Sequence, residues 1–242
     1  MPLKHQSSAL LDESLELIPS RYKIVGPAIL DAADFGAATL RPRLFVIGYD
    51  PARCDPIRLA DLDTRKAIPA TVQAAIADLQ NAEMLGDQGG FDLWKIARAG
   101  RPSRYAKALR SEDGTFTGHR STIHTRVVKQ RFRKLRQGSI DPIGRHPRLS
   151  WYGQCPNLRA STGSDKGSYQ SVRPIHPDEP RVITVREAAR LQGFSDSFKF
   201  HPTVWHSFRM IGNSVSPIIS RAILSLIADR MGFRRQLPVA AE

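Results

Sequence analysis

Few side chains in this sequence could take part directly in covalent chemistry. The chain contains two cysteines, Cys54 and Cys155. They are widely separated and form no Cys-x-x-Cys pair, which indicates neither a disulfide framework nor a zinc site, and we predict no metal. Arg53 and Asp55 flank Cys54 and act on the pKa of its thiol in opposite directions. The sequence around Cys54 therefore gives no sign of an activated thiolate.

Two arginines at alternate positions, Arg41 and Arg43, stand immediately before an apolar run. A guanidinium is planar and permanently charged, so it can donate hydrogen bonds to a base oxygen or hold a carboxylate. The other interpretation is a pair of surface arginines at the start of a strand.

A Gly-Asn-Ser-Val corner, residues Gly212, Asn213, Ser214 and Val215, precedes a long apolar helix. Glycine permits close approach of the backbone to a ligand, and the Asn-Ser pair can satisfy the unbonded amides at the start of the following helix. A polar helix start that binds no ligand would have the same sequence.

The overall charge of the chain points to a polyanionic partner. Its 242 residues carry a formal charge of +13 and have a pI near 10.3. Nucleic acid fits this balance best, although ribosomal and membrane-surface proteins share it. No apolar leader and no uninterrupted apolar stretch of about 18 residues occurs, so we expect a cytoplasmic protein without a membrane partner.

The beginning of the chain is typical of an α/β sheet. Residues 9–18 place four apolar side chains on one helical face, and Pro19 ends that pattern. Two short aliphatic runs follow, at 22–25 and 43–49. Because the second run does not alternate, we predict a strand that is buried on both faces.

From about residue 50 to residue 172 the pattern becomes irregular and basic. Residues 119–138 hold seven Lys or Arg residues and no acid. Val128, Phe132 and Leu135 lie at helical spacing, with Gly138 as a possible C-cap. We predict a basic helix whose Lys129, Arg131 and Arg133 bind DNA; a solvated face over a small core is the alternative. Residues 160–171 form a Gly/Ser loop that could be a linker or could cover a ligand.

Regular structure returns after Pro180. Thr184 and Glu187 form a capping box, and Gly193 supplies the helix stop. From Pro217 onward, apolar residues recur in pairs at helical spacing, which predicts a helix that packs on a substantial core.

Three separated segments resemble the closing conserved blocks of the DNA (cytosine-5) methyltransferases, in the family's order. They read LDAADFGAATLRPRLFVIG, RPIHPDEPRVITVREAARLQGF and MIGNSVSP. The resemblance covers residues 10–50 and 145–230, and the region between them corresponds to the family's variable target recognition domain. The middle block, from Arg186 to Phe194, is the most specific of the three.

The resemblance implies a reaction whose other parts this chain lacks. The family flips cytosine out of duplex DNA, attacks C6 with a cysteine thiolate and transfers methyl from S-adenosylmethionine to C5. Its thiolate stands in a Pro-Cys-Gln block, a glutamate stands in a Glu-Asn-Val block, and the main cofactor contacts follow the first strand. None of these blocks occurs here, and neither cysteine follows a proline. We therefore interpret both cysteines as ordinary.

The resemblance also assigns roles to individual residues. Arg41 and Arg43 would line the pocket for the flipped cytosine, although Ala38-Thr39 replaces the family's Pro-Gln. Gly212, Asn213, Ser214 and Val215 would complete the S-adenosylmethionine pocket. Thr184, Arg186 and Glu187 would be structural, and Asn157 and Arg159 would reach DNA from the position of the family's Thr-Leu segment. A polar loop without DNA contacts is the alternative for the last pair.

These observations define the expected protein. Its fold class is α/β: the C-terminal part of a Rossmann-like methyltransferase sheet plus an irregular, mixed target recognition domain. We expect catalytic-domain elements at 1–50, the recognition domain at 51–172, and its closure plus a returning helix at 173–242. It would methylate duplex DNA only when completed by the missing N-terminal half and would be inactive alone, either as one chain of a naturally split enzyme or as a truncated remnant of an interrupted gene. A non-catalytic DNA-binding or regulatory remnant is the alternative.

Overall fold

The computed structural model describes residues 3–96, 102–159 and 173–233. The chain divides into two compact units, each built from separate segments. The first unit comprises Met1–Leu30, Leu44–Arg65 and Ala222–Glu242, and the second comprises Asp31–Arg43 and Lys66–Arg221. The three consecutive domains expected from the sequence stay a prediction, and the Gly/Ser loop at 160–171 lies outside the described residues.

The α-helices and strands follow one another along the described chain in a mixed α/β order. In sequence, they are α1 (Leu3–Glu16), β1 (Lys23–Asp31), β2 (Pro42–Tyr49), α2 (Val72–Ile76), β3 (Ala82–Gln88), β4 (Phe91–Ile96), α3 (Arg104–Leu109), β5 (Thr115–Thr117), α4 (Arg126–Lys134), α5 (Val185–Gln192), α6 (Val204–Asn213) and α7 (Pro217–Arg230). Short 3-10 helices cover Ala32–Asp34, Leu59–Arg65 and Ala77–Asn81.

The first unit contains a two-stranded sheet, β1 beside β2. The prediction that the second strand is buried on both faces is wrong for this chain. Leu44 is 53% exposed, and Phe45 and Val46 are half-buried, whereas Ile47 is buried. The physical reason is that β2 pairs only with β1 among the described residues, and these residues do not cover both faces of the two-stranded sheet.

The second unit contains an antiparallel three-stranded sheet in the order β3, β4, β5. The irregular sequence pattern of this region did not predict this sheet. The β3–β4 hairpin closes where Gln88 pairs with Phe91, and Gly89 and Gly90 between them both have positive φ, 59° and 81°. Two consecutive residues with positive φ form the hairpin turn that matches strand twist, and glycine adopts it without a steric penalty.

Helix α5 runs through the core of the second unit with all its residues buried. The predicted capping box is confirmed: Thr184 accepts from the Glu187 amide, and the Glu187 side chain accepts from the Thr184 amide. Gly193 ends the helix with φ 93°, in the left-handed region. At this position, a Cβ would lie 2.6 Å from Ile218 Cγ1, so packing also requires glycine.

Charged side chains of α5 are buried and fully engaged. Arg186 donates to the carbonyls of Thr117, Ser195 and Phe198 at 2.8–3.0 Å. Its pKa falls to about 10 because burial disfavours the charged form. Glu187 receives two hydrogen bonds from Arg181, at 2.8 and 2.9 Å. These bonds tie α5 to the segments on either side of it.

Helix α4 begins at the Thr125 N-cap and packs Phe132 against Ile175 and Val182. The predicted C-cap is wrong, because the helix ends at Lys134 and Leu135 is its C-cap. Gly138 has φ 82° but lies beyond the helix, where its amide donates to the Arg148 carbonyl at 2.9 Å. The glycine therefore starts a hairpin.

Helices α6 and α7 together form an apolar segment, Val204–Arg230, that would be long enough to cross a membrane as one helix. The chain breaks at Ser214–Ser216 into helices of 10 and 14 residues. These helices are about 15 and 21 Å long, whereas a membrane span needs about 30 Å. Neither helix reaches the length of a membrane span.

We predict that Glu187→Gln makes the free energy of unfolding less dependent on acid pH. Burial alone would raise the pKa of Glu187, but hydrogen bonds from Arg181 outweigh it and hold the pKa at about 2. Because the pKa of Glu187 is lower in the folded state than in the unfolded state, its ionisation stabilises the folded protein at pH values above the unfolded-state pKa. This stabilisation is lost as the pH falls toward 2. Urea unfolding should show the variant less stable by up to about 3 kcal/mol at pH 7, with a smaller gap at pH 3.

The matched control is Glu112→Gln, at an exposed position of the second unit. Its stability should stay close to that of the parent at every pH. A Glu187→Gln gap that is unchanged between pH 7 and pH 3 would contradict the expected linkage.

Candidate active-site corner and nucleic-acid interface

The Gly-Asn-Ser-Val corner lies at the junction of α6 and α7. Gly212 and Asn213 are the last residues of α6, and Ser214 is its C-cap. The Ser214 amide donates to the Met210 carbonyl at 3.0 Å, and its hydroxyl donates to the Ile211 carbonyl at 2.9 Å. The corner therefore closes the C-terminal end of α6.

This placement corrects the expected role of the polar pair. We expected Asn213 and Ser214 to satisfy the amides that begin the following helix. Ser216 takes that position instead, with its hydroxyl oxygen 3.4 Å from the Ile218 amide. The sequence pattern did not indicate α6, so the corner was predicted only as the start of a helix, whereas it is the end of α6.

Arg41 holds the corner in place. Its Nη2 donates to the Gly212 carbonyl at 2.7 Å and also to the Ser214 carbonyl, and its Nε donates to the Ser214 carbonyl at 3.0 Å. Its Nη1 donates to Asn157 Oδ1 at 3.1 Å and to the Leu158 carbonyl at 3.0 Å. A guanidinium has five N–H donors, and these five bonds use all of them.

Burial of Arg41 determines what it can do. The residue is 1% exposed, and its pKa falls to about 10, chiefly through burial and secondly through the nearby charge of Arg43. It remains protonated at neutral pH. Because its donors all point at protein acceptors, Arg41 positions the corner and the 157–158 segment and does not present hydrogen-bond donors to a base.

Helix α5 supports the same corner from another direction. Gln192 Nε2 donates to the Ile211 carbonyl at 2.7 Å and to the Ser214 hydroxyl at 2.9 Å. The Ser216 hydroxyl donates to the Gln192 carbonyl at 2.7 Å. Sequence reasoning missed Gln192 and Ser216, and only their place in the family-like segments could have indicated them.

The accessible side chains around this clamp are the remaining candidates for ligand contact. Arg43 is half-buried and donates to the Pro42 carbonyl at 2.7 Å. The other accessible side chains near the clamp are exposed, namely Asn157, Arg159, Asn213 and Val215. The structure thus brings Arg41, Asn157 and residues 212–214 together. The side chains of Arg43, Arg159 and Val215 stay accessible to a ligand.

The corner can fit only part of an S-adenosylmethionine molecule. Protein partners engage the carbonyls of Gly212 and Ser214 and the Ser214 hydroxyl. Asn213 offers an exposed amide, and Val215 offers an apolar side chain that is 41% exposed. One exposed amide and one exposed apolar side chain suit the edge of a cofactor site, and they are too few to form a whole site.

Both cysteines are unsuited to nucleophilic attack. Cys155 is fully buried, its thiol donates to the Pro156 carbonyl at 3.3 Å, and burial raises its pKa to about 12. Cys54 is buried, and desolvation followed by the charge of Asp55 raises its pKa. A thiol with a raised pKa holds little of the reactive thiolate at neutral pH.

The predicted DNA-binding residues of α4 differ from one another. Lys129 and Arg133 are exposed on the helix surface. Arg131 instead forms an ion pair with buried Asp141, with a distance of 2.7 Å between Nε and Oδ1. Asp141, which lies outside the acid-free stretch 119–138, therefore neutralises the charge of Arg131. This ion pair anchors the helix.

We predict that Arg41→Lys loosens the corner although it keeps the charge. A lysine ammonium cannot span the Ser214, Gly212 and Leu158 carbonyls as the guanidinium fork does, so buried acceptors lose their donors. We expect the free energy of unfolding to fall by about 2–4 kcal/mol, measured by urea denaturation. Hydrogen exchange at the Ser214 amide should become faster.

The half-buried neighbour of this residue, Arg43, provides the control for the Arg41 substitution. Arg43→Lys should change the unfolding free energy by less than about 1 kcal/mol, because its only described bond is to the adjacent Pro42 carbonyl. Equal effects of the two substitutions would rule out the clamp as the reason for Arg41 burial.

Comparison with known proteins matches nearly the whole chain to one family. Residues 6–229 match the family model of C-5 cytosine-specific DNA methylases. The type II methyltransferase M.XorII of Xanthomonas oryzae pv. oryzae is 39% identical over 219 residues, which cover 81% of this chain and 48% of that protein. The type II methyltransferase M.Bpa9945I of Bacillus paralicheniformis is 26% identical over 235 residues, which cover 83% of this chain and 50% of that protein.

A solved structure shows similarity in fold. It is described as a DNA modification methyltransferase encoded within a prophage of E. coli, and it superposes with a TM-score of 0.76 at 34% identity. The match covers 94% of this chain and 66% of that one. The chain thus spans about half the length of the two type II relatives and about two thirds of the solved structure.

Proposed function

The chain belongs to the family of C-5 cytosine-specific DNA methylases, and from this premise we propose that it forms the C-terminal, DNA-recognising portion of a DNA (cytosine-5) methyltransferase. In this proposal, a segment that the described residues do not contain supplies the thiolate, the glutamate and most of the S-adenosylmethionine site. That segment is the separate N-terminal chain of a naturally split enzyme, or the part that an interrupted gene has separated from this one. The completed enzyme methylates C5 of a flipped cytosine in duplex DNA, in the cytoplasm, within a restriction–modification system.

The observation that carries this proposal is the state of the two cysteines. The family's chemistry requires a thiolate, and the whole sequence contains only Cys54 and Cys155. Burial raises the pKa of both thiols, in the case of Cys155 to about 12. A nucleophile from outside these 242 residues is the arrangement that reconciles the family match with this chemistry.

Exposed apolar side chains on the first unit are a second argument for an additional segment. Large apolar side chains of its described residues are more than half exposed, namely Leu10, Leu17, Ile29, Leu44, Leu224 and Phe233. A surface that another segment covers would present exposed apolar side chains of this kind. Ile29 and Leu44 belong to β1 and β2, so that segment would extend or cover the two-stranded sheet.

Within the completed site, the residues described here would bind and orient. Arg41 holds the corner, so that Asn213 and Val215 form one wall of the cofactor site. Arg43 donates to O2 of the flipped cytosine, which a fixed cation can hold as charge develops on the ring. S-adenosylmethionine supplies the electrophilic methyl group when bound. The thiolate of the additional segment would add to C6, C5 would take the methyl group with S-adenosylhomocysteine as the leaving group, and transfer of the C5 proton to a base would then expel the thiolate.

A non-catalytic DNA-binding or regulatory protein is the second candidate. The exposed cations of α4, including Lys129 and Arg133, favour it, because binding to phosphates requires no nucleophile. Both candidates predict salt-dependent DNA binding by the chain alone. They differ in whether methyl transfer appears when the additional segment is present.

We predict that the isolated chain transfers no methyl group and that a complementing polypeptide restores transfer. The complement is the part of M.XorII outside the match, which is more than half of that protein. Transfer of radiolabelled methyl from S-adenosylmethionine to duplex DNA should be at background for each polypeptide and above it for the mixture. Methylation by the purified chain alone would exclude the proposal.

Cysteine variants provide the matched controls for complementation. The double variant Cys54→Ser, Cys155→Ser should retain activity in the mixture, because neither thiol reacts. Serine in place of the cysteine of the complement's Pro-Cys-Gln block should abolish activity. A mixture that binds DNA but never methylates it, with a complement shown to be folded, would favour the non-catalytic candidate.

In an active mixture, we predict that Arg43→Ala lowers kcat at least about 100-fold while the Kd for DNA changes less than about threefold, because the lost contact strengthens only as charge develops in the reaction. Steady-state kinetics and a DNA-binding titration measure the two effects. Arg58→Ala, at an exposed position, removes the same charge and should leave both unchanged. An unaffected rate would refute the assignment of Arg43 to the cytosine pocket.

A further inference from the structure

His176 is a buried titratable residue that takes no part in the proposed reaction. It begins a turn at residues 176–181 of the second unit, which the His176 amide closes by donating to the Arg181 carbonyl at 2.9 Å. Its side chain is 0% exposed and packs edge-on against the Trp151 ring, with 5.3 Å between the ring centroids. The protonation state of this imidazole is therefore set by the protein groups around it.

Backbone hydrogen bonds fix the tautomer of the neutral imidazole. His176 Nδ1 accepts from the Asp178 amide at 3.2 Å and from the Glu179 amide at 3.1 Å. A ring nitrogen that accepts from an amide carries no proton, so Nε2 carries the proton of the neutral ring. Buried Nε2 has no hydrogen-bond partner within the part of the chain that the structure describes. The neutral imidazole thus holds the turn as an acceptor and has one unused donor.

Two carboxylates lie close to the two ring nitrogens. Nδ1 is 3.9 Å from a carboxylate oxygen of Glu179, and Nε2 is 3.9 Å from a carboxylate oxygen of Glu187. Arg181 donates to both of these carboxylates at 2.8 Å. A second proton on the ring would have to sit on Nδ1, where it would face two amide donors, so the bonds that hold the turn would break. Each N–H group of the imidazolium would instead be attracted to a carboxylate.

The charged groups that face His176 come from its own turn and from two other segments. They are Asp178, Glu179 and Arg181 in the turn, Glu187 in α5, and Arg148 ahead of the turn. Burial lowers the pKa of His176, and the charge of Glu187 opposes this effect. Because the pKa is lower in the folded than in the unfolded state, the neutral imidazole stabilises the fold fully above about pH 6.5. This stabilisation is lost as the pH falls through the folded-state pKa.

The turn also supports helix α4. Arg148 donates to the Pro177 carbonyl at 2.8 Å and to the Asp178 carbonyl at 2.9 Å, and it donates as well to the carbonyl of Phe132 in α4. The Asp178 carboxylate accepts from Gln137, in the segment that follows α4, at 3.2 Å. Release of the turn therefore removes the contacts that hold the end of α4.

We propose that His176 is a proton-operated switch: its neutral imidazole holds the 176–181 turn, and its protonation releases the turn and loosens α4, so that affinity for DNA falls in weak acid. The link to DNA rests on the proposed function, in which the exposed cations of α4 bind phosphates. The opening of the turn does not depend on that function.

The experiment compares the parent 242-residue chain with His176→Asn at pH 7.5 and pH 5.5. Asparagine Oδ1 can take the place of Nδ1 and accept from the same two amides, but it does not titrate. Hydrogen exchange followed by NMR gives protection factors, corrected for the intrinsic pH dependence of exchange, for the Asp178 and Glu179 amides. In the parent these should fall by up to about tenfold at pH 5.5, because the released imidazole titrates with an ordinary pKa of about 6.5. In His176→Asn they should stay constant.

Two more variants and one measurement on the parent separate the switch from general acid sensitivity. His206→Asn removes an exposed histidine of the same unit and should leave the protection factors of the turn as in the parent. His176→Gln places its amide near the position of Nε2 rather than Nδ1, so the turn should be poorly protected at both pH values. In the parent, the NMR shifts of the His176 ring and the opening of the turn should share one midpoint.

Titration with a fixed DNA duplex at constant ionic strength tests the link to DNA. The parent and His176→Asn should have equal Kd values at pH 7.5, and the parent should bind more weakly than the variant at pH 5.5.

Protection factors that change alike with pH in the parent and in His176→Asn would overturn the switch. An opening turn with equal Kd values for the two chains at both pH values would overturn its control of DNA binding. Failure of the folded parent chain to bind duplex DNA at either pH would instead remove the proposed function, and amide exchange alone would then decide whether the turn responds to His176.

Discussion

The interaction on which the candidate site depends is the buried guanidinium of Arg41. Its bonds join three segments that are far apart in the sequence, namely the start of β2, residues 157–158 and the end of α6. Burial of an isolated charge would be prohibitively costly, and it is tolerated here because every donor has an acceptor. The same five hydrogen bonds therefore satisfy the arginine and fix the corner, so a change in the burial of Arg41 also changes the conformation of the corner.

Helix α5 extends the same principle through the second unit. It is short, yet Arg186 and Arg190 are fully buried, and each is satisfied by carbonyls or carboxylates from other segments. Gln192, at its end, bonds to the corner directly. The helix thus connects the three-stranded sheet, through the Thr117 carbonyl of β5, to the junction of α6 and α7. Polar bonds to backbone give this core a specific geometry that apolar packing alone would leave less defined.

Features set by local chemistry could be predicted from the sequence. The Thr184 and Glu187 capping box, the Gly193 stop and the helix around Phe132 depend on neighbours within a few residues, and the structure has all three. The β3–β4 hairpin was missed although its Gly-Gly turn is local, because the flanking strands lack a clear apolar alternation. The hydrogen-bond acceptors of Arg41 could not be predicted from the sequence, because they lie 116 to 173 residues away along the chain.

Arg41 and Arg43 differ in burial and in hydrogen bonding, and their charges also interact. The charge of Arg43 is one of the causes that lower the pKa of Arg41, so the two guanidiniums lie close enough to repel. Arg41 is already satisfied by neutral carbonyls, which cannot cancel its charge. An electronegative ligand atom beside Arg43 would reduce that repulsion and so stabilise the corner as it binds. In the proposed enzyme, coupling of this kind would link binding of the base beside Arg43 to the order of residues 212–215, because Arg41 holds these residues in place.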